Sequence, residues 1–356
     1  MKPGLLIISH GSRDESWVTL VEEAIAQAQW PQGVAVASSY LECVPGRDIQ
    51  YGIDTLEAQG VNHIGVIPLF VSAGSTHADE IAYALGVKPA PLCETDLEPF
   101  QVQACVYYGR PLDGGDVVPL AEASIDRINS GVVCVDCAEP SREVTASSPY
   151  RKMNEEQLSD DSGLFVRSEG QEELLLDMIE ARLRGLGVRP HADAVLLVAH
   201  GSRYEPFTSR WHSSLRRLAR RLVQRGACAG ASHALLCCED IADAVQRLSH
   251  VLTSSQNEMG WGGRAEQLAV PLDFVGGRDT LRIGADALEE RIMERRVAVV
   301  PVFLSRGYFT SHVIPERFKD VSVLYDGEAL LPHPALSKWL QQEAVRLLRL
   351  MEARTS

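Results

Sequence analysis

The sequence predicts an α/β fold built from two tandem duplicated domains, each a parallel-sheet sandwich, and three observations carry that prediction. An apolar run that stops at His-Gly-Ser-Arg occurs at Leu5–Arg13 and again at Leu196–Arg203. A second phrase, VIPLFVSAG at Val66–Gly74, returns as VVPVFLSRG at Val299–Gly307 with Pro, Phe, Ser and Gly in register. Between these phrases, short apolar runs alternate with stretches of helical length, the order expected of a parallel sheet covered on both faces.

In the first repeat, the run Leu5–Ser9 is short, apolar and uninterrupted, the pattern of a strand buried on both faces. Glu15–Gln29 has a helical apolar stripe through Trp17, Leu20, Val21 and Ala24. Strand Val34–Leu41 ends at Glu42, and a helix through Ile49, Ile53 and Leu56 is closed by Gly60. Strand His63–Val71 runs into Ser72–Gly74, and Thr76–Leu85 reads as a helix whose first-turn acids, Asp79 and Glu80, suit the macrodipole. A strand at Ala104–Tyr108 and a helix at Val118–Ile128 complete the unit.

The second repeat gives strand Ala194–Ala199, the basic helix Ser209–Arg225, strand Ala234–Cys237, helix Ile241–Leu252 and strand Val297–Leu304. Its closing run at Val323 matches the one at Val106, and a terminal helix follows. The expected division is residues 1–130, an inserted segment over 131–192, and 193–356 with an interruption at about 255–296. The inserted segment holds Cys134 and Cys137 as a CxxC pair, an acidic Ser-rich stretch at Ser159–Ser162 and a helix at Glu172–Leu183. The interruption carries Gly260–Gly263 and Gly276-Gly277, and surface elaboration of this kind costs little loop-closure entropy.

Composition narrows the function. The 356 residues carry a net charge of -14, which disfavours nucleic-acid binding through phosphate neutralisation. No apolar stretch reaches the roughly 20 residues that span a bilayer. The N-terminus leads straight into the first strand without a secretory pattern, and eight cysteines then suit a reducing cytoplasm. The G-x-G-x-x-G and phosphate-loop fingerprints are missing after the first strand, and Ser12 lacks the G-x-S-x-G context of a hydrolase elbow.

The chemistry is expected at the carboxyl edge of the sheets, where open α/β sheets bind ligands. His10, Glu42 and His77 follow three strands of the first repeat, and neighbouring strand ends lie about 5 Å apart. Two imidazoles and a carboxylate make a mixed N/O site for a divalent metal and also accept protons near neutral pH. His200 is the second repeat's copy of His10. The remaining histidines, His63, His191, His212, His233, His250 and His333, have no such placement and read as core or surface residues.

These motifs resemble those of the sirohydrochlorin chelatases, the class II tetrapyrrole chelatases, over residues 1–130 and 193–356. The resemblance implies insertion of Co²⁺ or Fe²⁺ into sirohydrochlorin without ATP, in a cleft between two fused α/β halves. It implies His10 and His77 as metal-holding, proton-accepting residues with Glu42 as their acid. One residue usually separates the motif's Gly from the second His, whereas Ser75 and Thr76 stand between Gly74 and His77, a shift expected to turn His77 partly away. In the second repeat, counting from Gly307 sets Thr310 opposite His77, with His312 two residues on. His200 and His312 are therefore expected to complete the cleft wall, and Arg13 and Arg203 to clamp substrate carboxylates, unless they are solvated turn residues.

A lone CxxC is open to three readings: a redox pair, half a zinc site, or half an iron–sulfur site. The resemblance implies a [4Fe–4S] cluster on Cys134 and Cys137, with Cys228, Cys237 and Cys238 as candidates for the other ligands. Cys237 and Cys238 are read as adjacent strand residues pointing opposite ways, so only one reaches a shared cluster. Two other functions remain open: a non-catalytic tetrapyrrole or metal carrier, and a redox or regulatory protein centred on the cluster. The oligomeric state has no signature in the sequence.

Overall fold

The computed structural model describes residues 1–117, 169–257, 275–276 and 295–355. The first sheet holds β1 (Pro3–Ser9), β2 (Ala35–Tyr40), β3 (His63–Pro68) and β4 (Cys105–Tyr108) in the order β2-β1-β3-β4, all parallel. The second holds β5 (Ala194–Ala199), β6 (Gly230–Leu235), β7 (Val275–Gly276) and β8 (Val297–Pro301) in the order β7-β6-β5-β8. Its three longer strands are parallel, and the two-residue β7 runs antiparallel to β6 at the edge. Strand six begins and ends earlier than the Ala234–Cys237 run suggested, so Cys237 lies in the turn beyond it.

The central strands show why the halves stack. Leu5 and Ile7 face one core while Leu6 and Ile8 face another, because a strand sends alternate side chains to opposite sides. In β5, Val195 and Leu197 share the core of Leu5 and Ile7, whereas Leu196 and Val198 face away. All eight side chains are fully buried, each contributing about 1.5–3 kcal/mol by burial. The result is a layered body with one core common to both repeats. Helices α2 (Ile49–Ala58) and α3 (Thr76–Ala84) cover the outer face of the first sheet. Helix α6 (Ile241–Asn257) and the short α7 (Ile314–Arg317), which follows a π-helical turn at Phe309–Val313, cover the outer face of the second.

Four helices fill the shared middle layer: α1 (Glu15–Gln27), α4 (Glu169–Gly185), α5 (Phe207–Gln224) and α8 (Pro334–Thr355). Two of them cross over. Helix α4, which the sequence placed between the repeats, packs against β8 and α5 of the second repeat. Helix α8, at the end of the second repeat, packs against β1, β3, β4 and α1 of the first. Gly65 makes room for this helix, since a Cβ there would lie 2.8 Å from Met351 Cε and 3.3 Å from Leu347 Cβ. The buried Glu343 accepts from the Arg110 backbone N–H at 2.7 Å, and Ser337 donates to the Ala24 carbonyl at 2.8 Å. Packing therefore crosses a division drawn at residues 130/131 and 192/193. The expected helix at Val118–Ile128 and most of the 255–296 interruption lie outside the described residues.

Candidate functional site

Backbone pairing builds the same corner twice. In the first repeat, the N–H groups of Leu41, Glu42 and Leu69 donate to the carbonyls of Ser9, His10 and Ile8. In the second, Leu236, Cys237 and Val302 donate to Ala199, His200 and Val198. Each histidine is followed by a left-handed glycine, Gly11 at φ +92° and Gly201 at φ +81°. A side chain at Gly11 would put its Cβ 1.9 Å from the Glu42 carbonyl oxygen, so the glycine after His10 is a requirement of the turn.

The first corner gathers His10, Glu42 and His77. The His10 and His77 ring centroids are 4.7 Å apart at 76°, with Phe70 6.3 Å behind His77. His10 Nδ1 lies 3.1 Å from the Gly11 carbonyl oxygen, which only accepts, so this nitrogen carries the proton and Nε2 is left as a base. That Nε2 is 3.6 Å from Glu42 Oε1. Neutral imidazole nitrogen and carboxylate oxygen are both acceptors, and their pairing calls for a proton or a metal ion. His77 sits in the first turn of α3, and its Nδ1 donates to Glu80 Oε1 at 2.5 Å. Thr95 holds the other Glu80 oxygen at 2.7 Å. Burial works to raise the Glu80 carboxyl, but hydrogen bonds from His77 and Thr95 and the nearby imidazoles outweigh it and hold it below its ordinary value. Both rings thus have Nδ1 tied by a hydrogen bond, which leaves Nε2 as the acceptor of each. The extra residue before His77 leaves its ring against His10.

Glu80 is the residue that the sequence reading assigned only to the helix dipole. Its spacing of three from His77 on one helix was the available signal. A carboxylate behind an imidazole is the usual device for fixing a metal-binding ring. Among the described residues, no three His, Cys, Asp or Glu side chains are arranged to enclose an ion.

Behind this corner, α5 presses on the Ser72–Ser75 turn. A Cβ at Gly74 would meet Trp211 at 2.6 Å and the Phe207 carbonyl oxygen at 3.0 Å, and Arg210 donates to the Ala73 carbonyl at 3.4 Å. Burial lowers the Arg210 guanidinium, while Asp79, Asp113 and Asp116 act to raise it. Asp113 also accepts from Ala73 N at 3.2 Å. Asp79 forms a buried ion pair with Lys88 at 2.5 Å and accepts from Leu92 N at 2.8 Å. The turn that delivers His77 is thereby gripped from both repeats.

The second corner has the same backbone and different side chains. Cys237 stands where Glu42 stands, and Phe309 meets His200 with centroids 4.8 Å apart at 71°. Phe309, rather than Thr310 or His312, is therefore the spatial counterpart of His77. Only Tyr308 separates it from Gly307, whereas two residues precede His77, which defeats counting by position. Thr310 is buried and bonded to the Gly307 backbone, and His312 stacks on Tyr308 at 5.4 Å rather than on His200. Burial first, and then the charges of His77 and His10, lower the His200 imidazole. Asp14 of the first repeat likewise feels Arg306 of the second, after its stronger bonds to Ser16.

Residues 4–129 match the family model described as CbiX. The first repeat is CbiX-like. The whole chain is similar to SirB from Bacillus subtilis with Fe³⁺, at 15% identity and a TM-score of 0.53, over 99% of this chain and 98% of that one. It is also similar to the sirohydrochlorin chelatase SirB from Bacillus subtilis subspecies spizizenii in complex with cobalt, at 14% identity and a TM-score of 0.50, with the same coverage. At such identities the likeness establishes a shared fold. No curated protein sequence matches.

The CbiX-like repeat also carries Arg13, exposed three residues beyond His10. Its copy Arg203 donates to the Cys237 carbonyl at 2.8 Å, a bond that ties the turn together. The cysteines separate into two places. Cys134 and Cys137 lie outside the described residues. Cys228 is buried in the shared core with its thiol pushed up to about 12, chiefly by burial. It precedes β6, and Cys237 follows it, so roughly 20 Å of extended strand separates them and they cannot ligate one cluster. The expectation that Cys237 and Cys238 diverge is corrected as well. Both lie in a turn, where strand alternation does not apply, and their sulfurs are 3.4 Å apart. Among the described cysteines, Cys237 and Cys238 thus lie together and Cys228 lies apart from them.

Proposed function

We propose that the chain is a sirohydrochlorin metal chelatase that inserts Co²⁺ or Fe²⁺ into the macrocycle. One observation carries the reading: two imidazoles, each with Nδ1 tied by a hydrogen bond, lie with ring centroids 4.7 Å apart, and the Nε2 of His10 is beside Glu42. The CbiX match over the residues that hold this corner supports it, as does the fold shared with SirB, named as a sirohydrochlorin chelatase.

Insertion exchanges one divalent ion for two pyrrole N–H protons, so the site needs a metal donor and bases on one side of the ring plane. His77, fixed by Glu80, holds the ion through Nε2, and His10 Nε2 with Glu42 takes the released protons. A site that does not enclose the ion suits a metal that must be surrendered to four ring nitrogens. Arg13 lies on the same edge to meet a substrate carboxylate. The reaction is of the lyase type and requires no nucleotide. Among the described residues, no helix is long and apolar enough to cross a membrane.

The test is to mix the purified chain with sirohydrochlorin and Co²⁺ or Fe²⁺ and follow the absorbance change of metallation. We expect turnover that His10→Ala abolishes. Binding of the macrocycle without faster metallation would replace the enzyme with a carrier.

A further inference from the structure

The acid of the first corner stands on a loop that is held in a way the second corner does not repeat. Residues 41–47 carry Glu42 between Tyr40, which ends β2, and Asp48, which caps α2 by accepting from Tyr51 N at 2.8 Å. The Glu42 side chain is 57% exposed, so its place beside His10 depends on its backbone. That backbone is pinned at one end, where Leu41 and Glu42 N–H donate to the Ser9 and His10 carbonyls at 2.9 and 3.0 Å. Next comes Cys43 at φ +66°, the one non-glycine residue in the left-handed region among the described residues. Such a conformation persists only where the surroundings impose it.

The other end of the loop supplies the restraint. The Arg47 carbonyl accepts from Tyr40 N at 2.9 Å and closes the loop at its base. The Arg47 guanidinium lies over the Tyr40 ring at 5.1 Å, donates to Ser38 Oγ and pairs with Glu22 of α1 at 2.9 Å. The same Glu22 oxygen accepts from the Tyr40 hydroxyl and from Ser38 Oγ. Burial, and then the bond to Glu22, raise the Tyr40 phenol, which keeps it a donor. Three donors from strand and loop thus meet on one helix carboxylate oxygen. The second repeat keeps the joint and drops the clamp. Its helix-to-strand bond is His212 to His233 at 3.0 Å, with His233 at the register of Ser38. Leu235 stands at the register of Tyr40 and offers no hydroxyl. Its turn is short, since Cys238 and Glu239 both return to the Leu235 carbonyl. The clamp accompanies the corner that has the acid.

We infer that Glu22, Tyr40 and Arg47 are positioning residues, which hold the loop so that Glu42 stays 3.6 Å from His10 Nε2. Arg47 is central, because it joins the loop's closing carbonyl, the Tyr40 face and the Glu22 charge. The inference rests on the chelatase reading for its effect on rate. Misplacing a reacting group by about 1 Å can cost about a hundredfold, and a loosened loop is expected to cost part of that.

Metallation of sirohydrochlorin by Co²⁺ would be followed in steady state for the unaltered chain and its variants. We expect Arg47→Met to lower kcat about tenfold while KM for sirohydrochlorin is held, and Arg47→Lys to recover part of the rate. In the Glu42→Gln background, Arg47→Met should cost nothing further, because it acts through Glu42. Tyr40→Phe keeps the ring and loses one donor to Glu22; it should slow the reaction several-fold, and it replaces Arg47→Met if that variant does not fold. The imidazole resonances of His10 give a readout free of turnover, and Arg47→Met should displace them in the direction that Glu42→Gln does. Effects that multiply in the double variant, or His10 resonances unmoved by Arg47→Met, would overturn the clamp and leave the chelatase standing. An unaltered chain that does not metallate sirohydrochlorin would overturn the chelatase reading, and the His10 resonances would then decide the clamp alone.

Discussion

The two ligand corners share a backbone and differ in nearly every side chain that matters. Each has a parallel strand ending in His-Gly, a neighbouring strand whose turn donates to that histidine's carbonyl, and a ring delivered from the third strand's exit. In the CbiX-like corner, the neighbours of the first histidine are Glu42 and His77. In its copy they are Cys237 and Phe309. The placement of a ring 4.7–4.8 Å from the strand-end histidine is thus a property of the turn geometry, whereas the chemistry there is a property of residue type. Duplication kept the position and released the composition. The closed hydrogen-bond set His77–Glu80–Thr95 has no match around Phe309, whose side chain offers no bond to pin.

The sharpest way to break this comparison is to convert the first corner into the second. His77→Phe should keep the edge-on ring contact with His10 and lower the rate of metal insertion about a thousandfold, because a ligand and base is lost. The initial rate of cobalt-dependent absorbance change measures it. Insertion that persists near the original rate would move the chemistry to His200. A smaller effect is expected behind the ring. Glu80→Gln leaves an acceptor for His77 but removes the charge, and Co²⁺ affinity, read by titration, should fall about tenfold.

The smallest effect lies at the far end of the sheets, where the repeats also differ. The second repeat has the fully buried Asp193 where the first has Pro3, held by Arg189 and Arg296 at 2.6 Å each. Burial favours the neutral acid, but the guanidinium and backbone hydrogen bonds prevail and lower the carboxyl from 3.8 to about 2. A depressed carboxyl contributes stability that is complete above 3.8 and disappears as pH falls toward about 2. Urea unfolding over that range should show this loss, and Asp193→Asn should flatten it. An unchanged slope would mean that other carboxylates govern acid unfolding.

Much of the fold was legible because its signals are local. Four consecutive apolar residues in β1 and the recurrence of two phrases suffice for buried parallel strands and duplication. His10, Glu42 and His77 were legible as a group because strand ends in one sheet are neighbours by construction. Glu80 was overlooked because an acid in a first helical turn already has a sufficient local explanation. Phe309 was overlooked because the two repeats differ by one residue after the glycine, so alignment by count selected Thr310. The Cys237–Cys238 pair was misread because a strand was drawn two residues too far and its alternation went with it. The crossing of α4 and α8 left no trace, since an amphipathic pattern states which face is buried and never against which sheet.

That crossing has a consequence for the history of the chain. Each copy now wears the other's last helix, with Leu347 and Met351 filling the space above Gly65 and α4 doing the same service across the molecule. Separating the copies would take α8 from the first sheet and α4 from the second. The ancestral half has become a dependent organ, held to its twin by a clasp of two helices.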